Sequence, residues 1–480
     1  MKGVKAIVTG QDFPKIDPSD KVVGEVVVSF YDMSQNVIAR DKVFYDGHAG
    51  AAVAATSIKI AEEAATLIEV EYEVLPAVMT VIDAMKKNAP VLHKGMKTEG
   101  MDPVPKRSSN VASRAELKLG NAAEAFKDAD VIVERDYTAQ TVHQGYIEPH
   151  ACVAEVSADG MATIWSSSQG QFMVRAFVAK LCAMNASKIK VIPSEIGGGF
   201  GGKTKVYLEP LALLLSRQSG RPVKMVMTRE EVLRATGPTS GGHARAKIGA
   251  KKDGTLVAAE LEMEYEAGAF AGSPVKLGCM TGFAPYNLKH VSCIGWDVVV
   301  NRPQAAAYRA PGAPVAAFAV ESAMDELADT LGIDPLELRI KNAAVEGTQA
   351  PYGVKFPKIG CLETLRQAKA TEHYNMPLGP NQGRGVASGF WFNIGGQSSA
   401  SVMVNPDGTV IVATGSPDIG GSRASMALMA AEVLGIDYDN IKPLVADTES
   451  VPFSDLTGGS RVTFATGKAV VEAAEDAVND

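Results

Sequence analysis

Gly197–Lys203 reads GGGFGGK, set between the strand-like KIKVIPSEI (188–196) and the apolar run VYLEPLALLL (206–215). Five glycines in six residues let the backbone take positive φ and bring successive N–H groups close to an anion. A helix starting directly behind the loop would add the positive end of its dipole. Ordinary tight turns rarely need so many glycines, so the reading is a ligand loop rather than a turn packed only on its own protein. Taken literally, Gly197–Thr204 also satisfies G-x-x-x-x-G-K-[ST], which makes a P-loop nucleoside triphosphatase the alternative. Three features count against it. Lys190, Pro193 and Glu195 interrupt a strand that should be almost wholly apolar, and Pro210 falls early in the helix. The apolar stretch ending at Asp447 lies roughly 240 residues downstream, too far for a compact mononucleotide fold.

Three further loops share this character. AAAYRAPGAP (305–314) follows the strand-like WDVVVN (296–301) and precedes a helix whose apolar positions Val315, Phe318, Ala319, Ala323 and Leu327 are expected on one face, with Pro314 suited to its first turn. Arg309 is the one long charged side chain in that loop, and its planar fork suits a carboxylate or phosphate; closing the loop on backbone carbonyls is the other reading. SPDIGGSRAS (416–425) and LTGGSRVTFATG (456–467) each offer Gly-Gly, a serine and an arginine ahead of a small-residue helix. Each could be simple capping by Ser422 or Ser460. Four such loops suit one long polar cofactor gripped from several sides.

The rest of the chain fits a soluble α+β protein of about two or three domains. A formal charge of −8 without single-sign runs gives no reason to expect nucleic acid or an anionic membrane. Cys152, Cys182, Cys279, Cys293 and Cys361 are scattered, which argues against a disulfide framework, a zinc site or an iron–sulfur cluster and for a reducing, cytoplasmic setting. No apolar stretch approaches the ~18 residues of a membrane span. SIKIAEEAATL (57–67) places Ile60, Ala61, Ala64 and Leu67 on one helical face, and LIEVEYEVLP (67–76) alternates as a half-buried strand. Residues 93–118 are polar and aperiodic, read as a linker, and a second break falls at 370–384.

With these loops in this order, the chain resembles the molybdenum hydroxylases of the xanthine dehydrogenase and aldehyde oxidase type. DKVFYDGHAGAAVAAT (41–56) followed by AEEAATLIEVEYEVLPAV (61–78) resembles that family's small α/β hammerhead domain. The resemblance implies a partial hammerhead domain at 1–92, the linker at 93–118, a first molybdopterin-binding domain at 119–370 and a second, incomplete one at 371–480. It implies a molybdenum–molybdopterin cofactor in its cytosine dinucleotide form, with no protein ligand to the metal. It implies hydroxylation of an N-heterocycle or aldehyde with oxygen from water. Iron–sulfur and FAD carriers would sit on partner subunits, and a split subunit would add a second molybdopterin-domain chain.

Carried over by position, the resemblance puts Gly199, Phe200, Gly201 and Gly202 with Ala307, Tyr308 and Arg309 around the molybdenum. Gly420, Gly421, Ser422, Gly459 and Ser460 would hold the pterin, and Thr204 and Pro311 would face substrate. In HQGYIEPH (143–150), Gln144 is the candidate glutamine beside the metal, with Gln140 the alternative and Glu148 structural. Purine-specific members have a glutamate where Thr204 stands and a later arginine where only Lys276 is found; copper-containing carbon monoxide dehydrogenases have a cysteine where Ala310-Pro311-Gly312 follows Arg309. Both specificities are therefore disfavoured. The family's general-base glutamate, in a Gly-x-Gly-Glu setting, is expected outside this chain.

Overall fold

The structure, a computed structural model, describes residues 1–23, 27–392 and 394–479. Residues 24–26, 393 and 480 of the expected domains lie outside that description.

The fold is α+β and is organised around the helix Glu209–Ser219. Leu211, Ala212, Leu213, Leu214 and Leu215 are all buried, and a helix apolar on every side must be covered on every side. One cover is a four-stranded sheet, in the order Val223–Val226, Ala151–Val156, Ala162–Ser166, Ile189–Pro193. The other is the antiparallel pair Val4–Thr9 and Ala51–Ala55, whose Ala6, Val8, Ala52 and Ala54 enter the same core. The N-terminal module thus docks on the helix that follows the glycine loop.

A second sheet runs in the order Val111–Leu119, Val291–Val299, Leu256–Gly268, Gly242–Ala250, Val131–Ala139, with Ala313–Leu331 packed across it. Pro314 occupies the first turn of that helix as expected. Its buried stripe is Ala316, Ala319, Val320, Ala323, Met324 and Leu327. The expected face is therefore rotated: Val315 is half-buried, and Phe318 is exposed with its ring 5.6 Å from that of Tyr137, edge to face. The third sheet, Ala400–Val404, Val410–Thr414 and Ile441–Val445, is covered by Ser422–Leu434 and Gly467–Asn479, the two helices that follow the Gly-Gly-Ser-Arg loops.

Three local expectations are corrected. Residues 67–76 do not form a ladder. No strand lies beside them among the described residues, so the alternating side chains have no sheet to face, and Val74 is 90 % exposed. On the preceding helix, Ile58–Thr66, Ala64 is buried while Leu67 is exposed. Within 93–118, residues from Val111 onward form an edge strand held by Val291–Val299, so the structureless stretch ends earlier than its polarity suggested.

Candidate functional site

The glycine loop leaves the end of Ile189–Pro193, an edge strand whose neighbour Ala162–Ser166 is parallel to it but antiparallel to the next. The helix begins only at Glu209, with Pro210 in its first turn, and the intervening residues are turns. The expected helix dipole directly behind the loop is thus absent. Lys203 is buried, its Nζ 2.5 Å from Glu148 Oε2 and 5.1 Å from the centre of the Tyr146 ring. Burial lowers the Lys203 pKa, with Glu148 opposing the shift. Glu148 Oε2 also accepts the Gly197 N–H at 2.8 Å. Glu148 thus ties Lys203 to the start of the glycine loop, and the lysine that a P-loop would offer to phosphate is already paired.

The Tyr308–Arg309 loop is stitched to this one by backbone and amide contacts. Arg309 N donates to Phe200 O at 2.8 Å, and Gln144 Nε2 donates to Ala307 O at 2.8 Å. A Cβ on Gly201, at φ +105°, would stand 2.6 Å from Ala307 O, so the approach of the two loops itself requires glycine there. Lys205 Nζ donates to Ala305 O at 2.6 Å, and burial pushes the Lys205 pKa down to about 7.

The residues flanking Gln144 form a network of neutral groups. His143 Nδ1 accepts the Gly145 N–H, which leaves Nε2–H to meet Thr236 Oγ1 at 2.8 Å; that hydroxyl gives its own proton to Val232 O. The Tyr146 hydroxyl meets His150 Nε2 at 2.7 Å and Thr236 Oγ1 at 3.2 Å. Burial pushes His150 down to about 3 and Tyr146 up to about 12, so this pair stays uncharged over the ordinary range. With Nε2 committed to Ala307, Gln144 Oε1 is buried and has no hydrogen-bond partner among the described residues. That orphaned acceptor faces the junction of the two loops: a Cβ on Gly202 would lie 3.1 Å from it. Gln140, the alternative, lines a cavity of about 420 Å³ with Tyr308, Arg309, Val142, Ser240 and Phe318, whereas Gln144 lies outside that lining. The Arg309 side chain is exposed and makes no hydrogen bond or ion pair to the described residues, so it does not close the loop on carbonyls.

The later loops join the same face. Ile196 bridges Ile419, setting Gly420–Ser422 beside the start of the glycine loop, and Arg423 reaches Glu195 at 3.1 Å and Asp418 at 3.2 Å. Space is open at the Cβ positions of Gly420 and Gly421. Ser422 is not the N-cap, which is Gly421; its hydroxyl accepts weakly from Ile419 N at 3.3 Å. Arg461 is buried, donating to Gly395 O, Asp455 O, Gln397 O and Ser398 Oγ, and so builds its loop. Ser460 is exposed at φ +61°. Phe200, Ala310 and Ser460, one in each of three loops, hold the left-handed conformation that side chains resist, a cost that concentrates at functional sites. Of the residues expected to face substrate, Thr204 turns its hydroxyl onto Gly201 O at 2.7 Å, and neither it nor Pro311 lines the cavity.

The residue that motif reading missed is Gln169, buried between the glycine loop and the 456–460 loop. Its only sequence signal is an amide in the short SSSQG turn between a strand and a helix.

A molybdopterin cofactor-binding domain model matches residues 104–343, a second matches 361–480, and the a/b hammerhead domain of aldehyde oxidase and xanthine dehydrogenase matches 1–76. A putative xanthine dehydrogenase molybdenum-binding subunit of Escherichia coli is 30 % identical over 99 % of this chain and 64 % of its own length. The nicotinate dehydrogenase large molybdopterin subunit of Eubacterium barkeri is 33 % identical over 68 % of this chain and 75 % of that protein. The solved aldehyde oxidoreductase of Desulfovibrio gigas superposes with a TM-score of 0.82 at 26 % identity, over 99 % of this chain and 53 % of that one. The chain spans about three-fifths of the length of several curated relatives it matches. No finding supports a triphosphatase, and the chain belongs to the molybdenum hydroxylase family of the xanthine dehydrogenases and aldehyde oxidases.

Proposed function

We propose that this chain is the molybdopterin-binding part of a hydroxylase acting on an N-heterocycle or an aldehyde, working in the cytoplasm with iron–sulfur and FAD partner subunits. The observation that carries the reading is the buried, unpartnered Gln144 Oε1 at the junction of the glycine and Tyr308–Arg309 loops. The residues fit a polar, multi-part cofactor: Gly199–Gly202 and Ala307–Arg309 on one side, Gly420–Ser422 and Gly459–Ser460 on the other, with open space at Gly420 and Gly421. We assign the cytosine dinucleotide form, and we divide the chain at 1–92, 93–118, 119–370 and 371–480, with the strand Val111–Leu119 belonging to the sheet of the third segment.

When bound, the molybdenum cofactor supplies an oxygen derived from water and takes up two electrons. This chain's residues supply the setting. Gln144 orients a hydrogen-bonded group by its fixed amide, and Arg309 brings a guanidinium to the cavity wall, where developing negative charge is stabilised. Tyr308, Val142 and Phe318 shape the cavity and restrict water. None of residues 1–480 is assigned as general base; Thr204 and Pro311, placed toward substrate by the resemblance, lie outside the cavity lining, and Thr204 braces Gly201 O instead. The test is molybdenum and pterin-nucleotide analysis of the purified protein, alongside equilibrium binding of ATP. Stoichiometric molybdopterin supports the proposal; ATP binding without molybdenum sinks it.

A further inference from the structure

Gln169 occupies the turn between the strand Ala162–Ser166 and the helix Gln171–Leu181 and is 4 % exposed. Its Oε1 accepts two backbone protons of the glycine loop, from Gly201 at 2.9 Å and Lys203 at 3.2 Å. Its Nε2 donates to Thr457 O at 2.7 Å. The backbone repeats both attachments: Gln169 N donates to Lys203 O at 3.0 Å, and Thr457 N donates to Gln169 O at 2.7 Å. One amide thus joins two loops that lie 32 and 288 positions from it along the chain.

The fit is close enough to dictate neighbouring residue types. A Cβ on Gly199 would stand 2.5 Å from Gln169 Oε1, and a Cβ on Gly170 would stand 2.8 Å from Leu456 Cβ. Only an amide answers the chemistry. Two converging N–H groups need an acceptor with two lone pairs, and a carbonyl opposite needs a donor on the same flat group. Glutamate, of the same shape, keeps the first half and sets an oxygen against the Thr457 carbonyl. Leucine leaves all three backbone groups buried without partners.

We propose that Gln169 is a positioning residue that fixes the Gly459–Ser460 loop against the Phe200–Gly201 loop, so that both halves of the cofactor cradle are set by one side chain. This inference rests on the cofactor reading above for what the cradle holds, but not for the clamp itself. Gly201 in turn lies against Ala307, so the register set at Gln169 extends to the Tyr308–Arg309 loop.

The test uses the protein purified with the chains that accompany it, as wild type, Q169E, Q169N and Q169L. Amide hydrogen exchange is followed in peptides covering 197–206 and 455–462, and molybdenum and pterin are measured per chain after gel filtration. In Q169E, the 197–206 amides should keep wild-type protection, the 455–462 amides should exchange at least tenfold faster, and cofactor content should fall at least tenfold. Q169L should loosen both segments. Q169N, which keeps the chemistry but lacks one methylene of reach, should resemble Q169L and guards against a Q169E chain that does not fold. Wild-type exchange at 455–462 in Q169E would overturn the clamp. Faster exchange with undiminished cofactor would overturn its role in the cradle. A wild-type protein that holds no molybdopterin would sink the functional reading instead, and would do so without altering the exchange pattern.

Discussion

The Lys203 ammonium lies 2.5 Å from Glu148 Oε2, buried beneath a glycine loop that reads like a phosphate cradle. Removing the buried lysine leaves the partly exposed Glu148 carboxylate without its cation, at a cost on the order of 1 kcal/mol. Lys203→Met should therefore lower the Tm measurably. Titration with ATP should show no binding in either protein. Micromolar affinity in the wild type that disappears in the variant would show that Lys203 serves a nucleotide after all.

Arg309 has an exposed guanidinium with no partner among the described residues, so its removal should cost little stability. If it stabilises charge in the cavity, Arg309→Ala should cut turnover on the order of a hundredfold with molybdenum content unchanged. Arg309→Lys should restore little, because a point charge lacks the planar fork. Wild-type kinetics from the alanine variant would remove this arginine from the site.

At Gly201 the constraint is steric. A branched side chain at φ +105° would collide with Ala307 O, so Gly201→Val should separate the two loops and abolish molybdenum retention, measured by elemental analysis. A variant that kept full metal content would show that the approach of these loops is irrelevant to cofactor binding.

His150 gives a pH dependence with a definite sign. Its folded pKa is lowered to about 3 by burial, below the ordinary value of 6.5. Between those values the unfolded chain binds more protons, so stability is complete above about pH 6.5 and falls as pH drops toward 3. Burial lowers the His143 pKa in the same direction. His150→Asn should lower Tm at neutral pH yet flatten the acid limb of a Tm–pH profile. An unchanged slope between pH 6.5 and 4 would show that these histidines do not govern the acid response.

The loops were legible because they announce themselves by composition. Five glycines around Phe200, or one arginine among alanines at 309, have few local explanations, and their flanking strands and helices follow from ordinary periodicity. What escaped was set by partners distant in sequence. The 67–76 segment alternates like a strand but joins no ladder among the described residues. Phe318 fits the helical stripe in spacing but lies two positions from each of Ala316 and Val320, which fill the core. Lys203 matches a phosphate lysine until Glu148, 55 positions away, occupies it. Gln169 carries no motif, because a single amide is informative only once its three backbone partners are seen.

The cradle belongs to no single sheet, and that bears on its history in time. Its ties span 163 positions at Gln144–Ala307 and 288 at Gln169–Thr457. Contacts of such sequence separation close late, after the local units have formed. The pocket is therefore a latecomer in folding, complete only when separately built modules meet. By the same logic it is the first thing to loosen on heating. Loss of the bound group should precede collapse of any sheet, and inactivation should run ahead of unfolding.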